Sequence, residues 1–294
     1  MNKILDTDSF VALLGTKGGP AIRTGSTNPT SSLLVLNGRK MVIDCGLGVT
    51  RGLVDQGMAL KDLGLIFITH MHSDHYLELG PLIHTAWTAG LATPVTVHAP
   101  VGIEEYWKHF LLSMKADIDL RMEDEGRPDL SALVRFQTLN EGEILRLDDL
   151  TVTATRNEHP PLVDTFALRF AGSGSDVVFS GDTAYLPRLA DFAEGADLLV
   201  HEAMLPDALE ALFKRVSNGD DRLKTHLLRS HTMASDAGKI ATQARVAALA
   251  LHHLIPSDDP DFTENDWNAA LSGHWDGPLH IGRDGMRIPL TRAR

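Results

Sequence analysis

Four side chains able to bind a metal fall together in His70-Met71-His72-Ser73-Asp74-His75, directly after the apolar run Leu63-Gly64-Leu65-Ile66-Phe67-Ile68. The run is short and reads as a buried strand, so the cluster lies on the loop at that strand's carboxyl end. In a sheet, such a loop is where catalytic groups collect over the edge. His70 and His72 alternate as strand residues do and face one way, while Asp74 and His75 lie beyond the turn and serve a second point nearby. One segment can therefore feed two metal ions. Neutral imidazole with carboxylate is the donor set that zinc prefers.

The stretch resembles the His-x-His-x-Asp-His signature of the metallo-β-lactamase superfamily, and the resemblance extends over most of the chain. It implies roles for residues elsewhere. Asp44, in Val42-Ile43-Asp44-Cys45-Gly46, is similar to an early aspartate that supports the metal loop, and His159, in Asn157-Glu158-His159-Pro160, to the third histidine of the first metal. Asp182, in Phe179-Ser180-Gly181-Asp182-Thr183, is similar to a carboxylate bridging both ions, and His253, in Leu251-His252-His253-Leu254, to the last ligand of the second. The implied metal set is His70, His72, Asp74, His75, His159, Asp182 and His253, holding two zinc ions, with manganese or iron(II) as alternatives. The implied fold is an α/β four-layer αββα sandwich: two sheets face one another, helices lie outside, and metals sit along one rim.

At 294 residues the chain suffices for one large α/β domain or two small ones, and 43% hydrophobic residues suffice for a substantial core. The superfamily resemblance favours a single domain over 1–294. No apolar run approaches membrane-spanning length, and Met1-Asn2-Lys3-Ile4-Leu5-Asp6 lacks the extended apolar region of a signal peptide. Cys45 is the sole cysteine, which excludes an internal disulfide and agrees with a reducing cytoplasm. It reads as small core filling. The formal net charge of −12 opposes non-specific binding to polyanions, which relies on lysine and arginine.

Short strands and turns alternate through the first part, at Phe10 to Leu14, Ser32 to Leu36 and Lys40 to Asp44, with Asn37-Gly38 as a hairpin signal. Gly15-Thr16-Lys17-Gly18-Gly19-Pro20 lacks the Gly-Lys-Ser/Thr ending and the following helix of a phosphate loop, so it reads as a turn. Gly80 to Leu91 reads as a helix and Val95 to His98 as a strand. The stretch 103–133 breaks this rhythm and reads as an inserted helical segment near the site, either a substrate-shaping cap or an ordinary surface helix and loop. Strands recur at Leu150 to Ala154, Thr165 to Phe170, Asp176 to Phe179 and Asp197 to Val200. Ala234 to Val246 has helical spacing, with Ser235 as a candidate amino-terminal cap.

Val200-His201-Glu202-Ala203, Ser230-His231-Thr232 and Leu251-His252-His253 together resemble ribonuclease Z and its small-molecule relatives, including metal-dependent arylsulfatases and cyclic phosphodiesterases. By that resemblance His231 is the general acid at the leaving group, and Glu202 orients it. Protonated imidazole suits the role because its ordinary pKa lies near neutrality. Asp74 binds metal and takes the proton of the nucleophile, a hydroxide formed as two zinc ions lower the pKa of water towards roughly 7. His201 and His252 point away from the metals by strand alternation, and His84 is a packed histidine.

The chemistry expected is hydrolysis of a small-molecule ester: a phosphodiester, aryl sulfate or lactone. Ribonuclease Z-type processing of tRNA 3′ ends is the alternative. The stretch from His159 to Asp182 has no room for the protruding arm of those enzymes, so nucleic acid is not the expected partner. Hydrolytic dehalogenation, and a metal-binding scaffold without activity, complete the alternatives. The expected partners are thus a small ester and no membrane, with pairing to a second copy left open.

Overall fold

Apolar runs that are buried on both faces make the centre of two stacked sheets. The computed structural model describes residues 9–172, 174–216 and 219–290. Met1 to Asp6 lies outside the described residues. The first sheet contains β1 (Phe10–Gly15), β2 (Ser31–Leu36), β3 (Arg39–Cys45), β4 (Leu65–Phe67), β5 (Val95–Ala99) and β6 (Val134–Thr138). The second contains β7 (Gly142–Leu147), β8 (Leu150–Arg156), β9 (Phe166–Gly172), β10 (Ser175–Phe179), β11 (Leu198–Met204), β12 (Leu249–Ile255) and β13 (Leu279–Ile281). The last strand among the described residues, β14 (Met286–Pro289), returns to pair with β1, and within those residues each sheet has seven strands.

The two sheets share one logic. β1, β2 and β3 pair antiparallel, then β3, β4, β5 and β6 run parallel. Likewise β7 to β10 are antiparallel and β10 to β13 parallel. The carboxyl ends of the parallel strands meet at one rim, where Asp44, His70, Asp182, Glu202 and His253 stand. Asn37 and Gly38, with φ of 47° and 80°, form the tight β2–β3 hairpin that their identities specify.

Helices cover both outer faces: α1 (Val49–Asp55), α2 (Ser73–Tyr76), α3 (Leu79–Thr88), α4 (Ile103–Asp124) and α5 (Leu130–Leu133) follow strands of the first sheet. Those of the second half are α6 (Leu189–Phe192), α7 (Pro206–Val216), α8 (Arg222–Ser230), α9 (Ala234–Ala244) and α10 (Glu264–Leu271). Three apolar layers result. Ile66, Leu82 and Trp87 pack on one outer face, Leu251, Ile240 and Trp267 on the other. Phe67 of β4 meets Phe170 of β9 edge-on at 5.0 Å between the sheets. This is the α/β four-layer sandwich expected.

One open alternative narrows, and one local expectation needs correction. The segment 103–133 is helical, but none of its residues lines the site cavity described below. It packs behind the metal loop, where the Tyr106 hydroxyl accepts from the Gly80 amide at 3.2 Å and donates to the Leu77 carbonyl at 2.9 Å. Ser235 does not cap α9, whose N-cap is Met233. The preceding Thr232 is held extended, its carbonyl accepting from Met204 N and its hydroxyl donating to the Thr183 carbonyl, so the helix starts immediately after it.

Candidate metal centre

The loop after β4 bends into α2, and the bend separates its candidate ligands into two groups. His70 Nε2 lies 3.2 Å from His72 Nδ1, and His159 Nε2 reaches the same His72 atom at 2.9 Å from the β8–β9 loop. Nitrogens about 2.1 Å from a tetrahedral ion sit roughly 3.4 Å apart, so this triangle is close to one face of a zinc polyhedron. In the second group, His253 Nε2 lies 3.4 Å from Asp74 Oδ2, and His75 Nε2 lies 3.6 Å from it. Asp182 Oδ2 stands between the groups, 2.9 Å from His253, 3.3 Å from His75, 3.7 Å from His70 and 3.9 Å from His159. All seven residues named from the sequence therefore converge.

Neighbours aim the rings. Asp44 Oδ2 contacts His75 Nδ1 at 2.8 Å, while Asp44 Oδ1 accepts from the Thr69 amide at 2.8 Å. Thr69 Oγ1 contacts His70 Nδ1 at 3.1 Å, and His159 Nδ1 donates to the Ser230 carbonyl at 2.8 Å. Each contact leaves Nε2 facing the cluster. His75 Nε2 is buried with no hydrogen-bond partner, and such an atom needs one. A divalent cation supplies it, so the residues present fit a metal.

Charge points the same way. Burial and the neighbouring His75 push His70 well below its ordinary pKa, and burial with the facing His159 takes His72 down to about 4. Burial likewise takes His159 to about 4, so the first group is neutral, as ligands must be. In the second group burial presses His253 down, yet Asp182 and Asp74 overcome it and hold it at about 10. Burial would raise Asp74 and Asp182, but the imidazoles around them hold both carboxylates ionised. The two buried anions are balanced here by protonated imidazole at His253, a proton that a divalent cation would replace.

His253 reaches the cluster through a β-bulge. The β11–β12 register shifts between Glu202 and Ala203, and His253 takes a left-handed φ of 47°. Bulges beside active sites re-aim side chains in this way. Plain alternation had placed His253 opposite His252 without foreseeing this device. Gly18 packs against it so closely that a Cβ there would stand 2.4 Å from Ile255 and 3.0 Å from the His253 ring. The next amide, Gly19 N, donates to Asp74 Oδ2 at 2.9 Å. The segment read as a plain turn is thus part of the site.

His231 Nδ1 lies 3.0 and 3.1 Å from the two oxygens of Glu202, and Glu202 Oε1 accepts from Thr183 N at 2.8 Å. The His231 ring stacks on His253 at 5.3 Å and stands 4.8 Å from His159. Burial pushes His231 down to about 4, and burial with the Asp182 charge pushes Glu202 up. The contact with Glu202 occupies Nδ1 and leaves Nε2 uncommitted.

Above these groups lies a cavity of about 420 Å³. Lys17, Gly19 and Arg23 form one wall; Leu212 and Val216 of α7 and Leu223, His226 and Leu227 of α8 form the other. Sequence reasoning missed Thr69, Ser230 and His226, which carry no local ligand pattern. Of the remaining histidines, His84 pairs with Asp117 at 2.9 Å away from the cavity, and His201 Nδ1 donates to the Glu202 carbonyl at 2.6 Å. Cys45 is buried, and burial raises its thiol pKa, as suits core filling.

Comparisons with known proteins agree with this fold. A family model described as "Anti-Pycsar protein Apyc1" matches residues 11–249. A curated relative named Ribonuclease Z, from Mycobacterium sp. (strain KMS), is 31% identical over 285 residues, covering 95% of each chain. The solved metallo-beta-lactamase fold protein YhfI from Bacillus subtilis superposes with a TM-score of 0.69 at 18% identity, covering 96% of this chain and 99% of its own. The short form of human tRNase Z superposes at 0.66 with 20% identity, over 96% and 99%.

The relatives overturn one expectation. A small-molecule ester as partner, with nucleic acid set aside, rested on the missing arm and the acidic balance. Yet a relative named as a ribonuclease aligns with this chain over nearly its whole length, so the missing arm excludes nothing. Net charge sums the whole surface and hides local fields: Lys17 and Arg23 stand at the cavity. The curated name is that of a ribonuclease and gives no support to the arylsulfatase likeness. No helix among the described residues is long and apolar enough to cross a membrane. The chain belongs to the family described as Anti-Pycsar protein Apyc1 and is a ribonuclease Z-like, metal-dependent phosphodiester hydrolase of the metallo-β-lactamase superfamily.

Proposed function

We propose that this chain is a ribonuclease of the ribonuclease Z type, cutting a phosphodiester in RNA, with tRNA precursors as substrate. His70, His72 and His159 would hold one zinc ion and Asp74, His75 and His253 a second, with Asp182 shared between the two groups. The observation that carries this reading is the alignment, over nearly the whole of both chains, with a relative named Ribonuclease Z. The nitrogen-rich donor set of the first group favours zinc over magnesium or calcium.

When bound, the metals lower the pKa of water and neutralise phosphoryl charge. The protein's own residues do the rest. Asp74 accepts the proton of the attacking water as the new oxygen–phosphorus bond forms. His231 gives a proton from Nε2 to the leaving oxygen as the old bond breaks. Glu202 orients His231 through Nδ1, and Asp182 fixes the spacing of the two metal groups.

Purified protein is assayed for metal by elemental analysis, then given a precursor tRNA with a 3′ trailer and, separately, bis(p-nitrophenyl) phosphate. The expected result is two zinc ions per chain and one endonucleolytic cut that leaves a 3′-hydroxyl. Turnover of the nitrophenyl ester with every RNA left intact would overturn the ribonuclease reading.

A further inference from the structure

His226 has no part in the chemistry above, yet it lines the cavity together with His72, Asp74, Asp182, His231 and His253. It stands on α8, half-buried, on the same helical face as Leu223, Leu227 and Ser230. Its ring is edge-on to His72 at 5.9 Å, to His159 at 5.8 Å and to His231 at 5.9 Å. One nitrogen each of His159, His226 and His231 lies within 4.8 Å of the other two.

Ser230 sets the direction of its hydrogen bonds. The Ser230 hydroxyl donates to the Pro160 carbonyl at 2.7 Å, so its oxygen can only accept in the 3.4 Å contact with His226 Nδ1. Nδ1 therefore bears the hydrogen, and Nε2 presents a lone pair. A metal is a poor claimant for it. His159 Nε2 is already committed beside His72, and two imidazoles fall short of the four ligands of a zinc site. A phosphate oxygen cannot donate to a lone pair either. A hydroxyl can.

We propose that His226 is a specificity-determining residue that accepts a hydrogen bond from the ribose 2′-hydroxyl beside the scissile phosphate. The inference rests on the ribonuclease reading. If His231 serves the leaving 3′-oxygen, the 2′-oxygen on the adjacent carbon lies next to it, as His226 lies next to His231. The 2′-hydroxyl is also the group by which a protein separates RNA from DNA.

The test uses the zinc-loaded full chain and two precursor tRNAs, one all-ribose and one with a single 2′-deoxy nucleotide supplying the leaving oxygen. The wild-type chain should lose about tenfold in kcat/KM on the deoxy substrate, the worth of one hydrogen bond. His226→Ala should show a similar loss on the all-ribose substrate, no further loss on the deoxy one, and unchanged metal content by elemental analysis. His226→Gln, which keeps an acceptor, should regain part of the discrimination. Undiminished discrimination in His226→Ala, or loss of a metal from it, overturns the inference alone. No RNA cleavage by the wild-type chain, with bis(p-nitrophenyl) phosphate still hydrolysed, overturns the ribonuclease reading and this inference with it.

Discussion

Asp44 accepts the Thr69 amide and holds His75 Nδ1 at 2.8 Å, from a backbone position with a left-handed φ of 59°. Aspartate is among the few residues other than glycine that tolerate this region, and strain of order 1–3 kcal/mol is retained where a site needs it. Asp44→Asn keeps the shape but loses the charge that orients His75. Metal affinity at the second group should fall by roughly 10–100-fold, as for other outer partners of metal-bound histidines. Competition with a chromogenic chelator measures this, and an unchanged affinity would remove Asp44 from the centre. His231→Ala removes no proposed ligand, so elemental analysis should find the metals in place. Its rate loss should reach about 10²–10⁴-fold for an alkoxide leaving group and far less for p-nitrophenolate, which needs no proton. Equal losses on both substrates would make His231 a binding or structural group.

At the scale of elements, β4 and β5 support the rim from the inner face of the first sheet. His98 of β5 stacks on Phe67 of β4 at 4.8 Å, with Nε2 buried and unpartnered. Burial takes its pKa down to about 4 from 6.5. Because the folded value lies below the unfolded one, the unfolded chain binds the proton more readily. The fold therefore loses stability as pH falls from 6.5 towards 4, with the full penalty below 4. His98→Phe, which keeps the stacking, should shift the acid-unfolding midpoint, followed by circular dichroism, to lower pH. An unmoved midpoint would mean that His98 protonates freely in the folded chain. At the same scale, Lys17 pairs with both Pro29 and Leu254 as an isolated bridge, so the loop after β1 joins the two sheets where the cavity opens.

Across the whole molecule, the site exists only because two sheets face each other. His72 and His159 meet from loops of different halves, and Asp74 meets both Gly19 and His253. A cation bound there holds both halves. Binding of the folded state alone stabilises it by about 2.7 kcal/mol at 100 times Kd. For a domain of this size each kcal/mol shifts Tm by roughly 2–4 °C. Removal of metal by a chelator should therefore lower Tm by about 5–10 °C, and zinc should restore it. A Tm indifferent to chelation would mean that the metal groups stabilise neither half against the other.

The sequence by itself determined the candidate ligand types and their strand-end placement, while the layered α/β architecture was legible through the resemblance to the metallo-β-lactamase superfamily. These depend on local patterns: an apolar run, then imidazoles and a carboxylate in the loop that follows, repeated along the chain at Asp44, Asp182, Glu202 and His253. Tertiary structure alone decided what surrounds them. The bulge that turns His253 inward is invisible to a period-two pattern, because it is a register slip between two strands. Thr69 and Ser230 orient ligands through contacts that no motif records, since the Ser230 carbonyl meets His159 across 71 positions of chain. Whether 103–133 capped the site was left open by its sequence, and the cavity wall is built instead by α7 and α8 against Lys17 and Arg23. Helical spacing shows which face of a segment is apolar. Only the packing of two sheets determines what that face covers.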